Sequence, residues 1–302
     1  MVDLFARENL VAWCVVPYDA EQRGPRERAQ MLSRLGLRRL AWDWRPHHVD
    51  RLEEELDALD EHGIELVGVW TPHYLPAEGG PLGSLDPDLE RILDIFRDRD
   101  LATQLWACTE LGPPGPVEPL PAAEHRALVE RTAEHLAPLA ERARAEGHTL
   151  ALYNHMGWAG EPENLLEVIA ALEARGFEGT GLVYVQHHGH AHLDRFAEVL
   201  ELIGDRLLAL GVNGMLPGAH WGDGKVHPNG RGPRDLELAR VILDSGWQGP
   251  VAFLGHTMDD VELRLLDNLE GIDWMRARLG LSGEAAPTEP PPARIPNPRW
   301  PH

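Results

Sequence analysis

Short apolar runs alternate with amphipathic helical patterns along most of the chain. The first run, LVAWCVV at 10–16, is rich in β-branched and aromatic residues, and segment 24–36 then has apolar residues at helical spacing. The order recurs and predicts eight strands, at 10–16, 38–44, 64–70, 102–109, 149–155, 180–188, 206–214 and 249–256. The eight predicted helices are 24–36, 48–63, 85–100, 121–147, 161–176, 193–204, 233–246 and 259–280.

Eight strands that each lead into a helix indicate an α/β protein with a closed sheet. Parallel strands joined by right-handed crossovers account for this order, and eight such units close into a (β/α)8 TIM barrel. The alternative is an open doubly wound sheet, although no GxGxxG segment follows the first strand. We therefore expect one barrel domain over 1–280.

The C-terminal segment 281–302 differs in composition from the rest of the chain. It is rich in proline and cannot form a helix or a central strand. We expect an extended tail, either loose or strapped over a neighbouring part of the protein. The loose arrangement is the commoner one, because termini seldom order unless they are tied down.

Loop lengths divide the predicted barrel into two unequal faces. The segments that follow strands are the long ones, notably 71–83, 109–120 and 214–231. In TIM barrels the loops at the carboxyl ends of the strands build the active site, whereas the opposite face serves stability. The functional residues should therefore lie where the strands end.

Charge and composition exclude several kinds of partner. The 302 residues carry a formal charge of -21, and no cluster of Lys and Arg offers a path for a nucleic acid. There is no apolar run of membrane-spanning length and no secretory signal pattern at the N-terminus, which favours a cytoplasmic protein without a membrane partner. Cys14 and Cys108 lie in apolar runs and are expected to be buried free thiols. A homo-oligomer is compatible with the sequence, which does not specify one.

Polar and aromatic residues are concentrated at the predicted strand ends. Aromatic planes stack on the apolar faces of sugar rings, and amides, carboxylates and imidazoles hydrogen-bond hydroxyl groups, so the set suits a carbohydrate. For each residue alone, an ordinary polar loop position remains the alternative. Trp13, Trp42 and Trp106 are assigned to the core. The expected substrate-binding residues are Asp43, Trp44, Arg45, Trp70, His73, Asn154, Trp158, His188 and Asn213.

The stretch VYVQHHGHAH at 183–192 contains four histidines after one strand. Imidazole is a common ligand for zinc, manganese and cobalt. Strand alternation favours His187 and His190 as residues that point inward, with His188 pointing away. The candidate metal ligands are His155, His187, His190 and His256. Histidines that only bind substrate hydroxyls or cap loops are the alternative.

At these residues the sequence resembles the sugar phosphate isomerase/epimerase family, the xylose isomerase-like barrels that include inosose dehydratase, hydroxypyruvate isomerase and endonuclease IV. The resemblance spans roughly residues 9–275 and is carried by RLGLRRLAWDWR, LALYNHMGW, VQHHGH and SGWQGPVAFLGHTMDDVELRLLDNLEGIDW. YNHMG is similar to the fifth-strand segment of inosose dehydratases. The resemblance implies a TIM barrel that acts on a sugar.

The resemblance also implies a divalent cation held by Glu, Asp, His and Glu after strands five to eight. The corresponding positions here are Tyr153, His187, Leu210 and Leu254, while His190 keeps the family's histidine and Asn213 replaces a frequent Asp. Either a site is rebuilt from the four candidate histidines, which we favour, or the barrel binds its sugar without metal. An all-imidazole site would prefer zinc, cobalt or nickel to magnesium.

The family chemistry implied by the resemblance is proton abstraction next to a carbonyl, as in isomerisation and epimerisation. We expect His155 or His187 as acid and base, Glu110 as a reserve base, and a cation or Lys225 as the group that holds the oxyanion. The expected partner is a neutral keto-sugar or an inositol-like polyol. A lyase of the inosose dehydratase type and a non-catalytic sugar-binding barrel are the alternatives, and a DNA-repair endonuclease is disfavoured by the charge.

Overall fold

The computed structural model describes residues 3–110, 112–283, 285 and 287–300, and these residues include a closed barrel. All eight strands pair in parallel in chain order, and the first strand also pairs with the eighth. The prediction of a (β/α)8 barrel is therefore confirmed. The strands are β1 Leu10–Trp13, β2 Arg39–Trp42, β3 Glu65–Pro72, β4 Gln104–Cys108, β5 Thr149–Tyr153, β6 Gly181–Val185, β7 Leu207–Val212 and β8 Val251–Leu254.

Helices follow the strands and cover the outside of the barrel. Several begin with a proline in the first turn, where no intrahelical hydrogen bond is lost. The helices are α1 Pro25–Arg34, α2 Pro46–Val49, α3 Leu52–His62, α4 Pro87–Asp98, α5 Ala122–Ala145, α6 Pro162–Glu173, α7 Phe196–Ile203, α8 Asp235–Asp244 and α9 Val261–Arg278. The short α2 precedes α3 and was not predicted as a separate helix.

Strand alternation divides the core into two layers. On β1, Leu10 and Ala12 pack against the helices, whereas Val11 and Trp13 point into the barrel. The interior combines small and aliphatic side chains with large aromatic rings, of which Trp13 and Trp106 lie 4.9 Å apart in an edge-to-face arrangement. Trp42 belongs to the helix-facing layer. All three tryptophans assigned to the core are thus buried, two in the barrel interior and one beneath the helices. The barrel is thus plugged below its mouth.

Seven strands end earlier than the sequence pattern predicts, and backbone conformation explains the two largest differences, at β1 and β6. β1 stops at Trp13 because Cys14 adopts a φ of +54°, which no strand residue can hold. β6 stops at Val185 because Gln186–His188 forms a 3-10 helix. Cys14 and Cys108 are buried and free, as predicted. No helix among the described residues combines the length and apolar character needed to span a membrane.

The fit of β3 against the interior tryptophans gives a stability test. A Cβ added at Gly68 would lie 2.6 Å from the indole of Trp106, a buried side chain that cannot move aside. Gly68→Ala should therefore lower the free energy of unfolding by about 1 to 3 kcal/mol, measured by urea denaturation. Gly204→Ala is the control, because a Cβ there meets nothing within 4 Å at an ordinary φ of -50°. Equal effects of the two substitutions would contradict this packing.

Candidate active site

A cavity of about 710 Å³ opens at the carboxyl ends of the strands, above the aromatic plug. The long loops 71–83 and 214–231 contribute to its walls, as the loop lengths predicted, whereas the described residues of 109–120 do not line it. Besides histidines, its aromatic lining residues are Trp13, Tyr18, Trp44, Trp70, Tyr74, Tyr153, Trp221 and Trp300. This volume is within the range of small-molecule sites in proteins.

Four histidines from three different loops meet in this cavity. His155 follows β5, His187 and His188 follow β6, and His256 follows β8. The ring of His188 lies 3.8 Å from that of His187 and 4.1 Å from that of His155, measured between centroids. The rings of His187 and His256 are 5.8 Å apart. Burial is the first cause that lowers the pKa of each imidazole, to about 3 for His155 and well below the usual value for the others, so all four are neutral at pH 7.

The 3-10 helix after β6 explains why two adjacent histidines share the cavity. Strand alternation would send His188 away from His187, which is what the sequence analysis expected for a metal site. The tighter turn of Gln186–His188 brings both rings to the cavity instead. The expectation that His188 points away is therefore wrong, and its role in binding substrate stays a prediction.

Lys225 lies beside the histidines and is almost completely buried, with 1% of its surface exposed. Its Nζ atom is 3.3 Å from His188 Nδ1 and 3.7 Å from Met156 Sδ. The same nitrogen lies over the rings of Trp221 and Trp300, at 5.0 and 4.9 Å from their centroids. Because the ammonium has lost most of its water, the pKa of Lys225 falls from 10.5 to about 7.

Asp43 is the buried carboxylate of the cavity. The Val16 N–H donates to its Oδ1 at 3.4 Å, and its Oδ2 has no hydrogen-bond partner among the described residues. Burial raises the pKa of Asp43 to about 6, against the opposing effect of Arg45. Arg45 itself donates to the Tyr18 hydroxyl and to the Trp44 carbonyl, both at 2.6 Å. Asp43 therefore has a pKa close to neutrality and a free oxygen.

Several buried polar atoms of the cavity have no partner within the part of the chain that the structure describes. Such atoms carry a free-energy penalty unless a ligand or water satisfies them. Six of these atoms belong to residues that line the cavity, so a polar ligand or water that reaches them would remove part of this penalty. They are Trp13 Nε1, Asp43 Oδ2, His155 Nδ1, His187 Nδ1, His256 Nδ1 and Trp300 Nε1.

Trp300 comes from the Pro-rich tail and was not among the predicted site residues. Arg294 pairs with Asp267, and Arg299 pairs with Asp259 at 2.8 Å, which ties the tail to the helix and loop after β8. The Trp300 ring then lies 4.6 Å from that of His256. Glu284, Ala286, Pro301 and His302 of the predicted tail lie outside the described residues. A large aromatic residue within a Pro-rich segment was the signal that could have marked this position.

Two predicted residues lie beside a neighbouring cavity of about 410 Å³ rather than in the main one. Glu110 accepts a hydrogen bond from the Ala159 N–H at 2.8 Å, and its pKa is raised mainly by burial. The Trp158 indole donates to His125 Nδ1 at 3.2 Å. Glu110 and Trp158 therefore lie beside the main cavity rather than in it, and their roles as a reserve base and a sugar contact stay predictions.

Four further predicted residues are engaged in structural contacts. The amide of Asn154 bridges to the backbone of Val185 and so joins β5 to β6. His73 stacks on His135 with ring centroids 3.9 Å apart. His190 has its two ring nitrogens 3.0 Å from the carbonyl oxygens of Leu216 and Lys225, and Asn213 donates to the Gly214 carbonyl. The predictions that place these side chains in the cavity are therefore wrong, although His190 and Asn213 both support the loop that carries Lys225.

A divalent cation does not fit these residues. No group of three or more His, Cys, Asp or Glu in the described ranges is arranged to hold a metal ion. Tyr153 and Leu254 fill the barrel interior where the resemblance would require carboxylates. Leu210 packs against the helices, so the register assigned to it on β7 is wrong by at least one residue. The ammonium of Lys225 lies within the histidine cluster and would repel a second cation.

Comparisons with known proteins agree with the fold. Residues 30–278 match the family model described as "Xylose isomerase-like TIM barrel". A 3-keto-D-glucoside 4-epimerase from E. coli aligns with a TM-score of 0.60 and 14% identity over 89% of this chain and 99% of that one. A D-psicose 3-epimerase from Clostridium cellulolyticum H10 has a TM-score of 0.56 and 14% identity over 89% and 98%.

Protein SMc04130 from Sinorhizobium meliloti 1021 aligns with a TM-score of 0.59 and 18% identity over 87% of this chain and 97% of that one. At such identities these likenesses show the fold alone. No curated protein matches this chain.

The buried imidazoles predict a loss of stability in acid. The pKa of His187 is lowered first by burial and then by Lys225 and the neighbouring His256, His155 and His190, so the unfolded chain binds a proton that the folded chain does not. The free energy of unfolding should fall between about pH 7 and about pH 5, and His187→Gln should reduce that fall by about 1 to 2 kcal/mol.

Denaturant titrations at the two pH values measure this slope, which is the change in the free energy of unfolding between them. Leu202→Gln, at an exposed position on α7, neither adds nor removes a titratable group, so it is the control and should keep the wild-type slope. A wild-type slope in the His187→Gln protein would show that His187 does not remain neutral in the fold.

Proposed function

Because this chain belongs to the xylose isomerase-like TIM barrel family, we propose that it is a carbohydrate isomerase or epimerase. The reaction is proton transfer at the carbon next to the carbonyl of a keto-sugar or oxidised polyol. The observation that carries the proposal is the convergence of Asp43, Lys225 and a cluster of neutral histidines on one aromatic-lined cavity. The sugar epimerases among the structures of similar fold are consistent with it.

The lining favours a neutral sugar over a sugar phosphate. Aromatic rings provide flat surfaces for the C–H faces of a sugar, and the neutral histidines and Asp43 that line the cavity can hydrogen-bond its hydroxyl groups. Arg45 already donates to Tyr18 and Trp44. Of the described residues that line the cavity, Lys225 is then the cation left to face a ligand. A single lysine is a poor complement for a phosphate dianion.

Asp43 is the residue best suited to move the proton. A general base works best when its pKa is near the working pH, and the pKa of Asp43 is raised to about 6. The imidazoles of His155 and His187 are weaker bases because burial lowers their pKa values. In this proposal they bind hydroxyl groups, and Asp43 replaces them as the acid and base.

Lys225 acts on the carbonyl end of the substrate. Charge that develops on a carbonyl oxygen needs an electrophilic group nearby. Since the residues do not fit a divalent cation, the side-chain nitrogen of Lys225 takes this role. His190 and Asn213 contribute indirectly, because both contact the Lys225 carbonyl oxygen and hold its loop.

The proposal predicts that Asp43→Asn stops proton exchange. Asparagine can still accept the Val16 hydrogen bond but cannot take up a proton, so the rate should fall about 100-fold to 10,000-fold. The measurement is deuterium incorporation from heavy water into a panel of keto-sugars and inososes, followed by NMR. Asp244→Asn, at an exposed position on α8, should exchange at the wild-type rate.

The outcomes of this experiment separate the reactions. Exchange with formation of an unsaturated product would identify a lyase instead of an isomerase. Binding of sugars without any exchange, unaffected by Asp43→Asn, would identify a sugar-binding barrel and refute the proposed enzyme.

A second prediction concerns metal. Because the carbonyl is handled by Lys225, treatment with a chelator should leave the rate of deuterium exchange unchanged, as should addition of zinc, cobalt or manganese afterwards. Elemental analysis of protein purified without a histidine tag gives an independent check. Loss of exchange on chelation, with recovery on adding one of these ions, would show that the histidines do hold a cation.

A further inference from the structure

The chain contains one lysine and 27 arginines, and the one lysine is Lys225. Among the described residues, the ion pairs that involve a basic side chain other than histidine are all formed by arginine. Arginine therefore supplies positive charge on the surface of this protein. The one position that keeps an amine is buried in the cavity, at 1% exposure.

An amine can do chemistry that a guanidinium cannot. The guanidinium of arginine stays protonated in proteins, so it binds anions but does not attack a carbonyl. A buried lysine loses its proton readily and is the residue that forms Schiff bases with carbonyl compounds. A lone lysine inside a cavity is best explained by this reactivity, because charge alone could have been supplied by arginine.

The surroundings of Lys225 favour the neutral amine. Two indole rings and the Met156 sulfur surround its Nζ, and none of the described carboxylates forms an ion pair with it. The titratable groups that face it are the imidazoles of His155, His187, His188 and His256, whose pKa values Lys225 itself lowers. Desolvation lowers the pKa of Lys225 to about 7, so more of this amine is unprotonated at neutral pH than of an exposed lysine.

We propose that Lys225 forms an imine with the carbonyl carbon of the substrate. This inference rests on the proposed function, because it specifies how the same cavity activates the carbonyl of its sugar. It also replaces simple electrostatic contact between Lys225 and the carbonyl oxygen by a covalent bond.

The step balances without a further reagent. The Nζ lone pair attacks the carbonyl carbon to form a C–N bond, and the carbonyl π electrons move to oxygen, which takes up a proton. Nitrogen then loses one proton to give the neutral carbinolamine. The hydroxyl takes up a further proton and leaves as water while the nitrogen lone pair forms the C=N bond, which gives the protonated imine. In its protonated form the imine withdraws electrons from the neighbouring C–H bond, from which Asp43 removes the proton. Return of a proton and attack by water release the sugar and restore the amine.

The neighbours of Lys225 suit the proton movements of this step. His188 Nδ1, 3.3 Å from Nζ, can accept the proton that the nitrogen loses. The contact between His190 Nε2 and the Lys225 carbonyl holds the backbone while the side chain reacts. Trp221 and Trp300 limit the access of water, which would otherwise hydrolyse the imine.

Reductive trapping tests the inference on the intact protein. Incubation with dihydroxyacetone, a minimal keto-sugar, and sodium cyanoborohydride should attach one reduced adduct to Lys225, located by mass spectrometry of peptides. An N-terminal amino group could react as well, and peptide mapping separates its adduct from the adduct on Lys225.

Substitutions supply the controls. Lys225→Met keeps an unbranched side chain that suits the aromatic surroundings, and Lys225→Arg keeps a positive charge; both should give no adduct in this loop and no deuterium exchange. Circular dichroism and thermal melts establish that each variant folds. Arg26→Lys, on the exposed part of α1, adds an ordinary amine to the same chain. Near pH 7 the adduct on Lys225 should form at least about tenfold faster than that on the lysine of the Arg26→Lys protein, because little of an exposed amine is neutral.

Trapping and deuterium exchange together distinguish failure of this inference from failure of the proposed function. Exchange without an adduct on Lys225, or exchange that survives in Lys225→Arg, would overturn the imine and leave the enzyme proposal standing. An adduct on Lys225 without exchange would support the imine and refute proton transfer. Absence of both would refute both.

A measurement without any sugar completes the test. Reductive methylation with ¹³C-formaldehyde places two labelled methyl groups on Lys225, and their NMR shift follows its protonation. A midpoint near neutrality supports the inference. A midpoint near that of an exposed lysine, about 10.4, would overturn it.

Discussion

Closure of the sheet is the constraint on which the rest of this protein depends. β1 pairs with β8 over four residues, from Leu10 with Val251 to Trp13 with Leu254. This pairing brings the loop after β8, which carries His256, beside Tyr18 in the loop after β1, with ring centroids 4.0 Å apart. Without it, groups that are more than two hundred residues apart in the chain would not share a cavity.

The unusual electrostatics of the cavity follow from what replaces the expected carboxylates. Tyr153 and Leu254 fill the barrel interior at two of these positions. A carboxylate beside Lys225 would stabilise the ammonium and raise its pKa. The apolar substitutions therefore remove the cation ligands and, at the same time, allow the lysine to lose its proton. A protein with a formal charge of -21 thus keeps its acidic groups largely away from the one lysine.

Much of the fold could be predicted from the sequence, because the alternation of strand and helix patterns is repeated eight times and only a barrel accommodates it simply. The directions of individual side chains at the strand ends were harder to predict. His188 enters the cavity because a 3-10 helix interrupts the alternation, and Glu110 leaves it because its carboxylate accepts a hydrogen bond from Ala159. Such local turns depend on tertiary contacts that a periodic pattern does not contain.

Other signals were present in the sequence but were not periodic. The single lysine among 27 arginines is a matter of composition. Trp300 belongs to a segment whose Pro-rich character favoured a loose tail, yet two arginine–aspartate pairs tie that segment to the barrel. Neither could be placed in the cavity until the chain was folded.

The position of Trp300 has a consequence for how such a cavity can change. One wall of the cavity belongs to the C-terminal tail. This tail contributes little to the packing of strands and helices and is held mainly by polar contacts. Selection can therefore exchange this wall, and with it the shape of the acceptable ligand, without the risk of unfolding that attends substitutions in the interior. Divergence toward new ligands is easiest along such an interchangeable segment, while the groups at the strand ends stay on the barrel.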